Sequence, residues 1–309
     1  MKYNKKIAIT TGDINGIGAE ITIKALNKLE LPPENVVIIS NTKVIDFYGK
    51  LNHNYEIIEI PLTGEIEPGK LTEQSGEFCF QSLKKACEIS PKAIVTAPVA
   101  KKALHMAGHI FNGQTEVLEH FLAHDNQHAE MLFVAKNFRV LLLTRHIAIQ
   151  DVHINKSLII NKIKDLNTFF VEQLNISTPK FAMCGFNPHA GEDGILGREE
   201  IDIFIPAIEE LNKNGINITK PLPADTLFVN AAKEYLSGIS NNKHYDCYIA
   251  NYHDQGLIPI KTVAGAQTVN MTIGLDVIRT SPGHGTAFDI AGKNLADETG
   301  MISAIKEIL

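Results

Sequence analysis

The sequence has neither an excess of basic residues nor a long apolar run. Its 309 residues include 29 Lys and Arg against 35 Asp and Glu, which gives a formal charge of −6. A nucleic-acid-binding surface needs clustered positive charge, so we expect no nucleic-acid partner. No apolar run is long enough to cross a membrane, and the N-terminal MKYNKKIAITTGD lacks the apolar core of a signal peptide. We therefore expect a cytoplasmic protein without a membrane partner.

Cysteine is also scarce in this chain. Four cysteines are present, no two of them form a CxxC pair, and each lies among apolar residues: Cys79, Cys87, Cys184 and Cys247. This pattern predicts buried, reduced thiols, which agrees with a cytosolic compartment.

Short apolar runs alternate with longer helical patterns along the chain, and no repeat or low-complexity tract interrupts them. We predict strands at Ile7–Thr10, Val36–Ser40, Ala93–Thr96, Met131–Ala135, Val140–Leu143, Phe181–Cys184, Cys247–Ala250 and Gln267–Thr272. We predict helices at Gly18–Leu29, Lys43–Lys50, Glu73–Ile89, Thr115–Leu122, Ile154–Leu174, Glu199–Asn214 and Val229–Ser237. Strands separated by helices of this length indicate βαβ units. The expected fold class is α/β, with two α/β lobes, mainly parallel sheets and an active-site cleft between the lobes.

Several histidines directly follow predicted strands. His146, His189 and His253 each lie just beyond the carboxyl end of a strand, which is where α/β folds bind ligands. Three imidazoles with an open coordination position would suit a catalytic zinc or a related divalent ion. Loop histidines bonded to backbone carbonyls are the alternative, because separations of 43 and 64 residues form no local metal motif.

Two glycine-rich segments follow strands as well. GDINGIG, which contains Gly12, Gly16 and Gly18, joins a strand to a helix, but it is not a GxGxxG motif. It is either a phosphate loop or a turn without a ligand. In SPGHGTAFDIAGK, glycines surround His284 and Thr286, and backbone without side chains lets amide groups approach a ligand closely.

A set of polar residues suggests an anion site. Lys261, Asn270 and Arg279 recur at nine-residue intervals around a predicted strand, and together they offer an ammonium, an amide and a guanidinium to a phosphate or carboxylate. They could equally be isolated surface residues. Asp225, in LPADTLF, is either a helix N-cap or a buried carboxylate that faces a ligand.

Taken together, these motifs resemble a known family. The chain is similar, nearly from end to end, to the 4-hydroxythreonine-4-phosphate dehydrogenase family of pyridoxal phosphate biosynthesis, and YHDQG and NPHAGE are the most specific blocks. The blocks that carry the resemblance are TTGDINGIGAEI, VTAPVAK, GQTEVL, TRHIAIQDV, NPHAGEDG, LPADTLF, YHDQGLIPIK and NMTIGLDVIRTSPGHGTAFDIAGK. The segment HGTAFDIAGKN also resembles the adenine-binding loop of isocitrate and isopropylmalate dehydrogenases, whose fold the family shares.

The resemblance implies a reaction and a set of site residues. It implies NAD-dependent oxidation of 4-phosphohydroxy-L-threonine at C3, followed by decarboxylation to 3-amino-2-oxopropyl phosphate. The metal, Zn or alternatively Mg, Co or Mn, would be bound by His146, His189 and His253. The substrate would be bound by Gln114, Thr115, Lys261, Asn270 and Arg279. The cofactor would be bound by Gly12, Gly16, His284, Gly285, Thr286 and Asp297. Asp225 and Lys261 are the candidate proton acceptors.

The resemblance also implies a domain arrangement and an assembly. Residues 1–98 and 263–309 would form a discontinuous NAD-binding lobe, and residues 99–262 would form the lobe for metal, substrate and dimerisation. The active site would lie at the interface of a homodimer. NAD rather than NADP follows from the resemblance alone, because apart from Lys293 no basic cluster marks a site for a 2′-phosphate.

Two departures from the family pattern leave alternatives open. Gln114 stands where the family usually has histidine, and glutamine cannot carry charge. A paralogous dehydrogenase of threonate or erythronate 4-phosphate is therefore one alternative. The segment NAAKEYLSGISNNKH is longer than usual, and we predict that it is helical and on the surface. A phosphate acyltransferase and a non-catalytic two-lobed binding protein are alternatives of other classes, but neither needs three strand-end histidines.

Overall fold

The structure is a computed structural model that describes residues 2–125, 127–238 and 245–309. The described residues form strands β1 (Ile7–Thr10), β2 (Val36–Ser40), β3 (Glu56–Glu59), β4 (Ala93–Thr96), β5 (Glu130–Ala135), β6 (Phe138–Leu142), β7 (Lys180–Met183), β8 (Asn217–Ile218), β9 (Cys247–Ala250), β10 (Val269–Ile273) and β11 (Arg279–Pro282). They also form helices α1 (Gly18–Leu29), α2 (Thr42–Tyr48), α3 (Glu73–Glu88), α4 (Lys101–Met106), α5 (Gln114–Leu122), α6 (Lys156–Glu172), α7 (Ile205–Lys213), α8 (Ala224–Ser237), α9 (His253–Ala264) and α10 (Thr299–Lys306).

The chain divides into two compact units. Unit 1 comprises Met1–Ala129 and Val269–Leu309, and unit 2 comprises Glu130–Thr268. The sequence-based boundaries, after residues 98 and 262, differ from these. Residues 99–129 belong to unit 1 because α4 and α5 both pack against α3. Gln114 and Thr115 therefore lie in the same unit as the glycine-rich segments.

Unit 1 is an α/β layer structure with a mainly parallel sheet. Its strand order is β3-β2-β1-β4-β11-β10, and only the β10–β11 pair is antiparallel among the described pairings. Successive residues of β1 and β2 point to opposite faces of the sheet, and both faces are buried. One face packs on α1 and α10, the other on α3 and α5. Burial on both faces explains the continuous apolar runs in these strands.

Unit 2 has a smaller sheet with the strand order β5-β6-β9-β7-β8. The β5–β6 hairpin is antiparallel, and the other pairings are parallel. Its core brings α8 and α9 against the sheet through Phe228, Leu257 and Tyr248. The parallel strands β6, β7 and β9 therefore end at the same edge of the sheet, and each is followed by a loop or helix that carries one of the predicted histidine ligands.

The α/β prediction is confirmed, and most predicted elements are found within a few residues of their predicted bounds. Sequence reasoning missed strands β3, β8 and β11 and helices α4, α9 and α10. β11 reads RTSP, which has no apolar pattern, and α9 contains Pro259. The helix predicted at Glu199–Asn214 is a π-helical turn, Glu200–Phe204, followed by α7. Tertiary packing overrode the local pattern in these elements.

The predicted surface segment after Asn230 is described only in part. Residues 230–237 belong to α8, and residues 239–244 lie outside the described residues. The four cysteines are buried and free of disulfide bonds, as predicted. In the described ranges, no helix combines the length and apolar character that crossing a membrane requires.

Candidate active site

The loop after β1 approaches the loop after β4 closely. Gly12 has a φ of +69°, and a Cβ at this position would lie 2.3 Å from the carbonyl oxygen of Pro98. The amide of Asp13 donates a hydrogen bond to that same oxygen, at 3.0 Å. Gly12 is therefore required by the backbone conformation and by the contact between the two loops.

The same loop touches the second glycine-rich segment. The amide of Ile17 donates to the carbonyl oxygen of Thr286 at 3.0 Å, and a Cβ on Gly16 would be 3.0 Å from that oxygen. The structure thus brings together Gly16 and Thr286, two of the predicted cofactor residues. His284 directly precedes this contact; its Nδ1 bonds the Gly285 carbonyl at 3.0 Å, and its Nε2 is buried without a hydrogen-bond partner among the described residues.

Asp297, the remaining predicted cofactor residue, is engaged at the start of α10. Its Oδ1 accepts hydrogen bonds from the amide of Thr299 at 2.8 Å and from the Thr299 hydroxyl at 2.6 Å. These bonds, led by the one from the hydroxyl, lower the pKa of Asp297. One carboxylate oxygen therefore fixes the beginning of α10, and the nearby His284 contributes to the same lowering of the pKa.

Asp13 is a buried carboxylic acid that sequence reasoning missed. Its side chain is fully buried, and its carboxylate accepts hydrogen bonds from the amide of Asn15 at 2.9 Å and the hydroxyl of Ser75 at 3.4 Å. Burial raises the pKa of Asp13 to about 6, and the bonds from Asn15, Ser75 and the Ala100 amide oppose that rise. An acidic residue placed directly after a buried strand was the signal that could have revealed it.

The raised pKa of Asp13 predicts a pH dependence of stability. The folded protein holds this proton more tightly than the unfolded chain, whose pKa is near 3.8. The stabilisation is complete below that value and is lost as the pH rises through about 6. A shift of about two units corresponds to about 3 kcal/mol.

We expect Asp13→Asn to remove this part of the pH dependence, as measured by chemical unfolding at pH 4 and pH 7. Asp46→Asn, at an exposed position of unit 1, is the control. An unchanged slope in Asp13→Asn contradicts the prediction.

Arg279 is a buried cation. Only 2% of the residue is exposed; its Nε donates to the Thr96 hydroxyl at 2.8 Å and its Nη1 to the Thr272 hydroxyl at 3.4 Å. In the described part of the chain it forms no ion pair with a carboxylate. Burial lowers the pKa of Arg279 to about 9, although the charge of Glu116 opposes this. The guanidinium stays protonated at neutral pH, so its charge is desolvated without full compensation.

Two amide side chains of unit 1 have buried oxygens. Gln114, the first residue of α5, donates from Nε2 to the carbonyl of Ala97 at 3.2 Å. Ala97 directly follows Thr96, whose hydroxyl accepts a hydrogen bond from Arg279. Gln114 Oε1 and Asn270 Oδ1 are both buried without hydrogen-bond partners among the described residues. Thr115 is buried beside Gln114. Buried polar atoms without partners are uncommon, and polar ligands often satisfy them.

Lys261 differs from these residues in its exposure and in the unit to which it belongs. It lies in unit 2, exposed on α9, whereas Asn270 and Arg279 lie on β10 and β11 of unit 1. Asp225, the other candidate proton acceptor, is exposed in the first turn of α8. The N-cap of α8 is Pro223, and no side chain caps this helix. Asp225 is therefore neither the N-cap nor a buried carboxylate, and its role as a proton acceptor stays a prediction.

Two of the three predicted metal ligands lie side by side. The rings of His146 and His253 have centroids 5.5 Å apart and are inclined at 47°. His253 is the first residue of α9, and its Nδ1 bonds Asp254 Oδ1 at 2.7 Å. If Nδ1 carries the proton, this carboxylate directs the lone pair of Nε2 outward, as in many metal-ligating histidines.

His189 lies in a segment of unusual backbone. Residues 189–193 all have positive φ, and His189 itself has a φ of 53°. Its Nδ1 lies 3.9 Å from Glu192 Oε2. Across the ranges that the structure describes, no three His, Cys, Asp or Glu side chains form a group that could hold a metal ion. His189 is thus not grouped with the other two histidines. Its segment is nevertheless unusual, because a run of residues with left-handed backbone is costly and uncommon outside functional segments.

Comparison with known proteins extends this description. The model of the family described as pyridoxal phosphate biosynthetic protein PdxA matches residues 8–308. The chain belongs to this family. The 4-hydroxythreonine-4-phosphate dehydrogenase of Sulfurihydrogenibium sp. is 36% identical over 323 residues, which cover 97% of this chain and 96% of that protein. The D-threonate 4-phosphate dehydrogenase of Cupriavidus necator is 34% identical over 333 residues, which cover 99% and 96%.

Solved structures agree with membership of the PdxA family. The 4-hydroxythreonine-4-phosphate dehydrogenase of Klebsiella pneumoniae superimposes with a TM-score of 0.84 at 33% identity, covering 99% of this chain and 98% of that one. Isocitrate dehydrogenase from Methylococcus capsulatus superimposes with a TM-score of 0.51 at 14% identity, covering 98% of this chain and 84% of that one. This second likeness extends to the fold alone, and it confirms the predicted relation to the isocitrate dehydrogenase fold.

Proposed function

We propose that this PdxA-family chain is an NAD- and divalent-metal-dependent dehydrogenase of 4-phosphohydroxy-L-threonine. It oxidises the C3 hydroxyl and then releases CO2, which yields 3-amino-2-oxopropyl phosphate for pyridoxal phosphate biosynthesis. The observation that carries the proposal is the buried Arg279, which lacks an ion pair among the described residues and shares the Thr96–Ala97 strand end with Gln114. The two relatives from Sulfurihydrogenibium sp. and Cupriavidus necator are both named as dehydrogenases of phosphorylated compounds, which supports the same class of substrate.

A substrate phosphate explains why a guanidinium is buried here. The planar guanidinium can donate two parallel hydrogen bonds to phosphate oxygens, and the dianion compensates its buried charge. The unpartnered buried atoms of Gln114 and Asn270 are amide oxygens, which accept hydrogen bonds and so suit the amino or hydroxyl groups of the substrate rather than its phosphate oxygens. Binding energy from a phosphate remote from C3 orients the reacting carbon. Lys261 is the second cation proposed for substrate binding.

The residues of unit 2 fit a divalent metal in part. His146 and His253 are adjacent, and Asp254 orients His253. With His189 they are the residues that would bind zinc or, alternatively, Mg, Co or Mn. A divalent ion held by these residues would supply a Lewis acid for the C3 oxygen, and NAD would supply the hydride acceptor. The role of the chain itself is to hold C3 in position and to receive the hydroxyl proton, for which Lys261 and Asp225 are the candidates.

The cofactor would lie against the two glycine-rich segments of unit 1. Gly12 and Gly16 let this loop pack closely against Pro98 and against Thr286 of the second segment. His284 presents an Nε2 without a partner among the described residues, which suits a hydrogen bond to a base or a ribose. Gly285 and Asp297 complete the proposed set.

We also propose that the active form is a cytoplasmic homodimer. Large apolar side chains are exposed near the proposed metal ligands: Ile147 and Ile149 follow His146, and Ile195 and Leu196 follow His189. Ile195 is 79% exposed, and clustered exposed apolar residues of this size commonly mark an interface. A second copy of the chain would cover them and could complete the set of site residues.

The alternative within the family is a D-threonate 4-phosphate or erythronate 4-phosphate dehydrogenase. The Cupriavidus necator relative carries the first of these names, and Gln114 replaces the usual histidine beside the phosphate region. Because glutamine cannot carry the positive charge that histidine can, this departure from the family pattern keeps the alternative open.

NADH formation with the three phosphorylated substrates tests the proposal. We expect the highest kcat/KM with 4-phosphohydroxy-L-threonine and a rate that depends on a divalent ion in the assay. Higher kcat/KM with D-threonate 4-phosphate assigns the chain to the alternative. Failure of all three substrates, in a protein that binds both NAD and metal, shows that the substrate assignment is wrong. The absence of any rate gain with added divalent ion, from protein purified without metal, contradicts the histidine assignment.

A further inference from the structure

Three strand ends of unit 2 meet at Asn251, through its side chain and its main-chain carbonyl. Asn251 directly follows β9 and is fully buried. Its Nδ2 lies 3.1 Å from the carbonyl oxygen of Cys184 and 3.0 Å from that of Gly185, both of which follow β7. Its own carbonyl accepts hydrogen bonds from Thr144, after β6, at 3.2 Å from the amide and 2.7 Å from the hydroxyl. One residue therefore connects the ends of β6, β7 and β9.

Gln255 closes this arrangement from the first turn of α9. Its Oε1 accepts from the amide of Asn251 at 2.7 Å and from Asn251 Nδ2 at 3.0 Å. Its Nε2 donates to the Gly185 carbonyl at 2.8 Å. Both side-chain NH2 groups donate to the Gly185 carbonyl. We call this hydrogen-bonded pair of side chains, Asn251 and Gln255, the amide clasp.

Each of the three histidines lies near a residue that Asn251 or Gln255 contacts. His146 follows Thr144 by two residues, and His253 lies between Asn251 and Gln255. On the β7 side, a Cβ on Gly185 would be 2.8 Å from the Cα of Ala190, so the segment containing His189 packs directly over Gly185. Asp254, not Gln255, contacts the His253 ring. The clasp therefore acts on the positions of the loops rather than on the imidazole rings.

We propose that Asn251 and Gln255 are positioning residues that set the spacing of the loops bearing His146, His189 and His253. The inference rests in part on the proposed function, because the reason to position these loops is metal binding. Amide side chains suit the task, since Asn251 donates from Nδ2, Gln255 both donates and accepts, and neither adds charge beside the metal ligands. Hydrogen bonds that support ligating residues typically change metal affinity tenfold to a hundredfold when removed.

Three variants test the proposal. Gln255→Met keeps the length of the side chain and removes its hydrogen bonds, whereas Gln255→Glu keeps the acceptor for Asn251 and loses the donor to Gly185. Gln255 is only partly buried, so both variants should fold. Asn212→Ala is the matched control, because Asn212 also bonds backbone groups of unit 2, at Ile218, but lies away from the clasp.

Two measurements are made on the full chain: amide hydrogen exchange and the affinity for Co2+ by calorimetry. We expect Gln255→Met to raise exchange in residues 144–147 and 185–190 as well as at Asn251, and to weaken Co2+ binding about tenfold or more. Gln255→Glu should give a smaller loss, and Asn212→Ala no loss of Co2+ affinity.

Faster exchange confined to α9 overturns the clasp. Faster exchange in all three loops with unchanged Co2+ affinity overturns the positioning role. If wild type binds no Co2+ but exchange spreads in Gln255→Met, the clasp between the loops stands, while its positioning role and the proposed metal function both fail.

Discussion

Replacement of Arg279 by methionine is expected to weaken binding of the phosphorylated substrate about a hundredfold or more while leaving the fold intact. The variant would lose the two hydrogen bonds that the guanidinium donates to a charged phosphate, each of which contributes about 1.5–3 kcal/mol. KM for the phosphorylated substrate should rise accordingly, and calorimetric titration with that substrate should report the same loss of affinity.

The expected stability of Arg279→Met separates binding from folding. Removal of the buried cation relieves its desolvation, but it leaves the hydroxyls of Thr96 and Thr272 without this donor. These effects oppose each other, so the free energy of unfolding should change by no more than about 2 kcal/mol. A larger loss of stability would show that Arg279 serves mainly the fold.

Two further variants control for charge. Lys84→Gln also removes one positive charge from unit 1, but at a partly exposed residue of α3 whose ammonium lies 4.0 Å from the Glu88 carboxylate. Its affinity for the phosphorylated substrate should match wild type. Arg279→Lys keeps the charge but cannot donate two parallel hydrogen bonds, so we expect it to recover only part of the affinity. Equal affinity in Arg279→Met and wild type would refute the proposed phosphate contact.

Substitution of Gly12 by alanine is expected to lower the free energy of unfolding by about 3 kcal/mol or more. The φ of +69° costs an L-residue about 1–2 kcal/mol. The added Cβ would also lie 2.3 Å from the Pro98 carbonyl oxygen, which is backbone and cannot rotate away. Overpacking of this kind costs about 1–3 kcal/mol because the loops after β1 and β4 must move apart. Chemical unfolding followed by circular dichroism measures the change.

Gly285→Ala is the matched control for Gly12→Ala. A Cβ on Gly285 would meet nothing within 4 Å, so the free energy of unfolding should stay within about 0.5 kcal/mol of wild type. Because Gly285 belongs to the proposed cofactor loop, NAD affinity can be measured in this variant without interference from unfolding. Similar losses of stability in the two variants would contradict the steric argument at Gly12.

Much of the fold could be predicted because its strands are buried on both faces. Continuous apolar runs such as VVIIS, in β2, identify a buried strand without knowledge of its neighbours. The helix after the first glycine-rich loop, Gly18–Leu29, was predicted with the bounds that the structure has. By contrast, β11 could not be found, because RTSP is a strand only through its pairing with β4 and β10. The start of α9 at His253 was missed for a similar reason, since its polar first turn reads as a loop.

The candidate site divides along the same line. Sequence placed His146, His189 and His253 after strands, and the structure agrees with those placements but groups only two of the rings. The sequence could not show that Asp13 and Arg279 are buried, because burial of a charged side chain depends on which distant elements cover it. The partners of Asp13 include Ser75 of α3, and those of Arg279 include Thr96 of β4.

The sequence by itself determined the fold class, the positions of the buried strands and the family, because periodicity and motif blocks are local properties of the chain. Only the tertiary structure decided that residues 99–129 pack with the first unit, that Asp225 is exposed, and that Asn251 joins three strand ends. These are facts about contacts between residues far apart in the chain. Parallel strands joined by helices bring such residues to one edge of a sheet, and no local pattern specifies which side chains meet there.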